Sequence, residues 1–168
     1  NAYVGATQNN SGKNANCDIF NESKPSNGSA GRTPTSESIS VNSNIVTSTS
    51  NYGTALVITS TGSNGTNGGN GGDCYAGYAG GQGGDGGNLS SSLGSGYTIN
   101  TTGTGLIAQS FGASGGNGGT TDDSSFNGGN GGNGGAGGAV YIFNYGLITT
   151  YAPDQNSISS TNLAFGMF

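Results

Sequence analysis

Histidine and tryptophan are absent from this chain of 168 residues, and only 7% of its residues are charged. Without histidine, the Ser-His and Cys-His pairs that activate a catalytic nucleophile are excluded. Lys13 and Lys24 are the only lysines, and both lie in a polar N-terminal stretch. The one adjacent carboxylate pair, Asp122 and Asp123, lies in a Ser/Thr-rich loop that is typical of a solvated turn. We therefore predict that the protein is not an enzyme.

Positive charge and long apolar runs are also scarce. The chain has a net charge of −5, and its three basic residues, Lys13, Lys24 and Arg32, all lie near its start. Nucleic acid requires clustered lysine and arginine against its phosphates, so no nucleic-acid partner is predicted. No apolar run is long enough to cross a bilayer, so membrane insertion is not predicted either.

The chain has only two cysteines, Cys17 and Cys74, and they lack the CxxC spacing of many metal sites. An isolated even pair favours one disulfide in an oxidising compartment, with two buried free thiols as the alternative. The first residue is Asn1 rather than methionine, which fits a processed secreted product as well as a trimmed chain. These features predict an extracellular or cell-surface protein.

Glycine, by contrast, is abundant, and much of it follows a triplet of two glycines and one small residue. The longest run covers residues 127–139, with shorter runs at 68–73, 80–88 and 115–120. A period of three fits polyproline II and neither an α-helix nor a β-strand. We predict four such rods that hydrogen-bond into a bundle, whereas a flexible linker or disordered tract is the alternative.

On such a rod every third side chain lies on one edge, and glycine edges can approach a neighbouring backbone closely. We expect Asn130 and Asn133 on an exposed edge, and valine at Gly131 or Gly132 to disrupt the bundle more than a substitution of Asn133. The glycines predicted to form the rods are Gly68, Gly69, Gly71, Gly72, Gly80, Gly81, Gly83, Gly84, Gly115, Gly116, Gly118, Gly119, Gly128, Gly129, Gly131, Gly132, Gly134 and Gly135.

Between the glycine runs, polar residues alternate with β-branched ones, as is typical of strands. Residues 53–58 and 103–108 align at an offset of 50 positions, as do the glycine runs after them, so the chain contains an internal repeat. We predict an all-β fold of short stacked strands, either a β-solenoid or sandwich-like, with the rods beside it. The predicted domains are a polar N-terminal arm or cap (1–38) and a β-repeat domain (39–168), with units at about 44–95, 96–145 and 146–168.

Two segments carry a family resemblance. Residues 105–119 read GLIAQSFGASGGNGG and resemble the I-x-A-Q-S-x-G strand and GG-rich tract of passenger regions in bacterial autotransporter-like surface proteins. Residues 146–150, GLITT, resemble the G-x-I-T-T strand of such repeats. A weaker resemblance links the glycine tracts to phage tail adhesins and glycine-rich antifreeze proteins. The resemblance implies a secreted β-solenoid with an adhesive or structural role and no fixed chemistry, although this sequence holds fewer repeats.

Calcium is the one metal that the sequence suggests. Residues 68–76 and 80–88 fit the start of the calcium-binding nonapeptide GGxGxDxUx, with Asp73 and Asp85 at the ligand position. The large apolar position is filled by Tyr75 in the first segment but is Gly87 in the second. Because the triplets continue through runs without aspartate, we prefer glycine rods without a cofactor and keep calcium as the alternative.

The function that these features predict is a secreted structural subunit whose partner is itself. It would assemble into an extracellular filament or surface layer, using an apolar C-terminal strand that contains Leu163, Phe165 and Phe168 to complement a neighbour's sheet edge. The alternative is an adhesin that binds surface glycans or a receptor through Tyr75 and Tyr78. Ice binding by a flat, threonine-bearing glycine bundle is a third interpretation.

Overall fold

The computed structural model describes residues 2–7, 10–18, 22–47, 54–151 and 158–160. Every regular element in these ranges is a β-strand, which confirms the prediction of an all-β fold. The strands are β1 (Ala2–Gly5), β2 (Glu37–Val41), β3 (Ile45–Thr47), β4 (Leu56–Thr61), β5 (Leu89–Leu93), β6 (Thr98–Thr101), β7 (Leu106–Phe111), β8 (Val140–Asn144), β9 (Leu147–Tyr151) and β10 (Ile158–Ser160).

The strands form three sheets, and each sheet takes one strand from each of three successive stretches of the chain. The orders are β1-β4-β7, β2-β5-β8 and β3-β6-β9, all parallel, and β10 adds an antiparallel strand to β9. Leu56 pairs with Leu106, so the segments that repeat at an offset of 50 positions lie side by side. We call the three stretches the first layer (β1 to β3), second layer (β4 to β6) and third layer (β7 to β9).

Within each layer the chain makes a long excursion between its first and second strands. These excursions, which we call the first, second and third arms, cover residues 6–36, 62–88 and 112–139. Each arm has an outgoing and a returning segment, and the described residues of these segments form no strand or helix. The sequence predicts only the four glycine-rich segments, in the second and third arms. The first arm supplies two further segments although it contains only Gly12, Gly28 and Gly31.

The apolar core is small, as the composition requires, and it is completed by polar side chains. Val41, Leu93 and Ile99 form a buried cluster between the sheets. Ser60 and Thr101 are almost completely buried as well. Burying a polar group is costly unless it is hydrogen-bonded, and among the described residues no buried side-chain nitrogen or oxygen lacks a partner.

Two serines at matching positions of β4 and β7 attach the arms to the sheets. Ser60 pairs with Ser110 in the sheet register. Its hydroxyl oxygen accepts a 3.0 Å hydrogen bond from the backbone N–H of Gly87. The Ser110 hydroxyl donates to the Gly87 carbonyl at 2.8 Å and accepts from the N–H of Gly138 at 2.9 Å. The bases of the second and third arms are thereby held against the sheet.

Candidate assembly interface

In the first and second arms the first residue of a triplet, position 1, connects its arm to the next. Its backbone N–H donates to the carbonyl of a small residue, position 3, in the following arm, and the bonds recur every three residues. The pairs between the second and third arms include Gly65–Ser114, Gly68–Asn117, Gly71–Thr120, Gly77–Asn127, Gly80–Asn130 and Gly83–Asn133, with N···O distances between 2.8 and 3.0 Å.

The second glycine of each triplet, position 2, connects outgoing and returning segments. The N–H of Gly81 donates to Thr66, that of Gly116 to Gly81, and that of Gly132 to Gly116, each at 2.8 Å. A Cβ on Gly132 would lie 2.0 Å from the carbonyl oxygen of Gly81, and one on Gly116 would lie 2.0 Å from that of Thr66. Position 2 therefore admits only glycine at these sites, because any side chain would collide with a neighbouring backbone.

The backbone N–H at the third position of a triplet is hydrogen-bonded by an asparagine side chain of the preceding arm, a role that the glycine period alone does not predict. The Oδ1 atoms of Asn67 and Asn70 accept hydrogen bonds from the N–H groups of Asn117 and Thr120, both at 2.9 Å. Asp85 accepts in the same way from Ala136 at 2.7 Å. Since every backbone N–H needs a partner, a short side-chain acceptor at position 3 completes the pairing of the triplet. The recurrence of Asn at position 3 is the sequence signal for this role.

The returning segment of the third arm leaves its position 1 edge open. Gly128, Gly131 and Gly134 are exposed, and their N–H groups make no hydrogen bond within the described chain. A Cβ on them would have its nearest contact at 3.4, 3.6 and 3.5 Å, whereas on Gly80 the corresponding distance is 2.1 Å. The expectation that valine disrupts the bundle thus holds within one chain for Gly132 but not for Gly131, which has open space. Asn130 and Asn133 are exposed as expected.

In the returning segment of the first arm, the position 1 residues are covered and other positions are exposed. Its position 1 residues face the second arm: Gly28 donates to Ala79 at 2.9 Å, and Pro25 is buried. Its position 3 residues, including Lys24 and Asn27, are exposed. One face of the arms therefore presents unpaired position 1 N–H groups, whereas the opposite face presents side chains at positions 2 and 3, such as Ser29 and Asn27.

Exposed apolar side chains concentrate in the third layer. Ile142 explains why: its register partner Ser91 is only 3% exposed, whereas Ile142, without a further layer over it, is 40% exposed. Of the nine large apolar residues that are exposed in the described ranges, seven belong to this layer, its arm or the loop before β9: Phe111, Phe126, Tyr141, Ile142, Phe143, Tyr145 and Leu147. The third layer and its arm thus carry most of the exposed large apolar side chains in the described part of the chain.

The tips of the first two arms are joined covalently. Cys17 and Cys74 form the predicted disulfide, with their Cα atoms 5.8 Å apart. Beside it the Tyr75 hydroxyl donates a hydrogen bond to the carboxylate of Glu22, and this bond raises the pKa of Tyr75 above its ordinary value. Crosslinking of this kind compensates for a small apolar core.

The tip of the third arm is a tight turn next to that of the second. Gly72 and Thr121 form a parallel bridge between the two tips. Within the turn, the backbone N–H of Ser125 donates to the Asp123 carboxylate at 2.7 Å, and this hydrogen bond lowers the pKa of that carboxyl. Asp122 and Asp123 therefore lie in an exposed or half-exposed turn and not in a cleft.

The two aspartates of the calcium alternative are not brought together. Asp73 lies in the tip of the second arm, whereas Asp85 lies near its base beside a groove of about 300 Å³ that Pro34 and Gly138 also line. No group of three or more His, Cys, Asp or Glu side chains that could hold a metal ion occurs in the described ranges.

The predicted assembly residues Leu163, Phe165 and Phe168 lie outside the described residues. In the part that is described, no helix has the length and apolar character needed to cross a membrane. No family model, curated protein or solved structure matches this chain. The resemblance to autotransporter-like passenger regions consequently stays a prediction, and function has to be argued from geometry.

Proposed function

We propose that this protein is a secreted structural subunit that assembles head to tail into an extracellular filament or surface layer. In this proposal the three layers are coils of a β-solenoid, and the arms are polyglycine II-type rods packed as a bundle beside it. The three-residue hydrogen-bond period, the parallel registers and the close packing of Gly116 and Gly132 against neighbouring carbonyls support both parts.

The observation that carries the proposal is that the stack of layers has an open sheet edge at each end, and the two edges are formed by different strands. β7 and β8 form the edges of two parallel sheets at one end, and β1 and β2 form the edges of the same sheets at the other. A parallel edge is complementary to the opposite edge of a second copy, and such heterologous contacts do not close, so they produce fibres. β10 covers β9 in the third sheet, so β7 and β8 would form the contact.

The uncovered apolar side chains favour the same contact. Stacking a second copy in the register of the first two layers would place its Ile39 over Ile142, because both residues are aligned with Ser91 in one sheet. Burying this surface supplies a driving force of about 25 cal/mol for each Å² of apolar area.

An extracellular location is part of the proposal. The Cys17–Cys74 disulfide requires an oxidising compartment to persist. With 7% charged residues, a coat or fibre of this protein would have little self-repulsion to oppose assembly.

Light scattering across a dilution series, followed by negative-stain electron microscopy, tests the proposal. Concentrated wild-type protein should form unbranched filaments or sheets that grow above a threshold concentration. A species that remains monomeric at every concentration would overturn the proposal.

The second candidate, an adhesin, is favoured by the aromatic residues of the arm tips. Tyr75 is half-buried and Phe126 exposed, and the two tips are adjacent because Gly77 donates to Asn127 at 3.0 Å. Aromatic rings beside carboxylates such as Asp122 suit the stacking and hydrogen bonding of sugars. Glycan binding by the monomer, lost on Phe126→Ala, would support this candidate over assembly.

A further inference from the structure

We infer that the outer face of the third arm is a docking site for a glycine-triplet rod of another polypeptide, a segment with glycine at every third residue. We call this surface the open face; it consists of residues 112–120 and 127–136. The inference goes beyond the proposed function, because the partner is not a second copy of this chain and the contact does not use β7 or β8.

The open face presents backbone donors that have no partner within the described ranges. In the second arm, the position 1 N–H groups of Gly65 and Gly80 donate to carbonyls of the third arm at 2.8 and 2.9 Å. The matching groups of the third arm are exposed or half-exposed, so water satisfies them until carbonyls at three-residue spacing displace it. These donors belong to Gly112, Gly115, Gly118, Gly128, Gly131 and Gly134.

The open face also presents unused acceptors. Oδ1 of Asn67 in the second arm accepts a 2.9 Å hydrogen bond from the N–H of Asn117 in the third arm. Within the described chain nothing donates to the matching exposed side chains of the third arm, which are those of Asn117, Asn130 and Asn133. The third arm thus repeats the donors and acceptors by which the second arm holds it.

Glycine is retained on the open face where nothing within the chain requires it. A Cβ on Gly131 would have no contact closer than 3.6 Å. Glycine loses more conformational freedom on folding than other residues do, so it is destabilising where nothing requires it. On Gly80, which the third arm covers, a Cβ would lie 2.1 Å from the carbonyl oxygen of Gly116. A rod over the open face would impose the same requirement.

The uncovered face of the first arm differs in composition. Position 2 points towards the preceding arm, since a Cβ on Gly81 would lie 1.9 Å from the carbonyl oxygen of Ser29. No arm precedes the first, and its position 2 residues carry side chains: Lys13, Ser26, Ser29 and Arg32. Glycine is therefore lost at the end of the bundle where no rod covers it, and its retention at the other end indicates a covering rod.

The same geometry specifies the occupant. A Cβ at position 2 of a covering rod would meet a carbonyl of the third arm, as one on Gly132 would lie 2.0 Å from the carbonyl oxygen of Gly81. The occupant therefore needs glycine at every third residue, which excludes the first arm of a second copy, with Ser29 and Arg32 at that position. The second and third arms of a second copy are excluded because their position 2 glycines already pack on the preceding arm. The open face carries no charged side chain, so an uncharged rod fits it without burying an unpaired charge.

Solution NMR of the isotope-labelled protein, kept below any assembly threshold, tests the site with a synthetic peptide of repeated Gly-Gly-Asn triplets. We expect the amide resonances of Gly128, Gly131 and Gly134 to shift as peptide is added. Their hydrogen exchange should slow about fivefold or more at saturation, as one added hydrogen bond each requires. A scrambled peptide of the same composition, in which glycine does not recur at every third residue, is the control and should leave these resonances unchanged.

Gly131→Pro separates docking from folding. Proline suits the extended rod and its ring has open space in the protein alone, but it removes the N–H that a docked rod needs. We expect a melting temperature that is not lowered and a peptide Kd raised about fivefold or more. The matched control is Thr33→Pro, which places the same ring on the exposed face of the first arm, where the N–H of Thr33 makes no hydrogen bond within the described chain. This control should bind peptide like the wild type.

The outcomes distinguish this inference from the proposed function. A triplet peptide that shifts the resonances of the open face no more than the scrambled peptide overturns the inference and leaves assembly through β7 and β8 standing. Binding that Gly131→Pro leaves unchanged overturns it as well. If Gly131→Pro lowers the melting temperature, Gly134→Pro repeats the test, and the same loss there contradicts the inference. Protein that binds the triplet peptide but stays monomeric at every concentration supports the inference and overturns the proposed assembly.

Discussion

At the scale of single residues, the three positions of a triplet have different physical requirements. Position 1 donates to the next layer, position 2 packs against a neighbouring carbonyl, and position 3 carries a side-chain acceptor. The sequence predicts the period and the exposed edge, because both follow from geometry with three residues per turn. It does not separate position 1 from position 2, since both are glycine and only their neighbours distinguish them.

The requirement at position 2 predicts a large effect of Gly132→Val. The added side chain would meet the carbonyl of Gly81, so we expect a loss of about 3 kcal/mol or more in the free energy of unfolding. The melting temperature should fall by about 6–12 °C. Asn133→Val at the exposed adjacent position is the matched control and should change it little. Equal melting temperatures for the two variants would contradict the assigned packing.

The acceptor role of position 3 predicts a stabilising substitution. Gln82 stands where Asn67 and Asn70 stand in the outgoing segment, but its longer side chain makes no hydrogen bond to the N–H of Asn133. Gln82→Asn should provide that acceptor and raise the unfolding free energy by about 0.5–1 kcal/mol. Gln82→Ala provides none and serves as the control. Denaturant unfolding that gives Gln82→Asn no advantage over Gln82→Ala would count against this role.

At the scale of elements, the first arm is the part that the glycine triplets do not predict. Its residues between 10 and 36 are poor in glycine, yet Gly12 donates to Asn67 and Gly31 to Gln82 at 2.8 and 2.6 Å. Pro25 and Pro34 occupy buried position 1 places there, where the fixed φ of proline suits an extended rod. The first arm needs fewer glycines because its outer edge meets no further arm within the chain.

The disulfide joins two of these elements, and its removal should weaken the fold. It spans 57 positions, and closing a loop of that length stabilises the folded state by about 4 kcal/mol in the chain-entropy account. Cys17→Ser combined with Cys74→Ser should lower the denaturant midpoint accordingly. A reducing agent should have the same effect on the wild type and none on the double variant. An unchanged midpoint in both cases would show that the arms hold together without the bridge.

At the scale of the whole molecule, the parallel layers give the protein two unlike ends. The internal repeat of 50 positions predicts stacking, and the pairing of Leu56 with Leu106 confirms that register. The concentration of exposed apolar residues at one end could not be predicted, because Ile142 has the same strand-like pattern around it as buried positions do. Ile142 is exposed because no fourth layer covers it. The number of layers is a property of the whole fold and is not encoded in the residues around Ile142.

The central claim is that copies stack along the layer direction, and filament diffraction measures this most directly. Strands in a sheet are spaced about 4.7–4.9 Å apart, so three layers predict an axial rise of about 14 Å per subunit. Aligned filaments should therefore show meridional intensity near 4.8 Å, and image reconstruction should give that rise with β8 beside β2 of the next copy. Protein that remains monomeric at all concentrations, or filaments whose strands run along the axis, would contradict the claim.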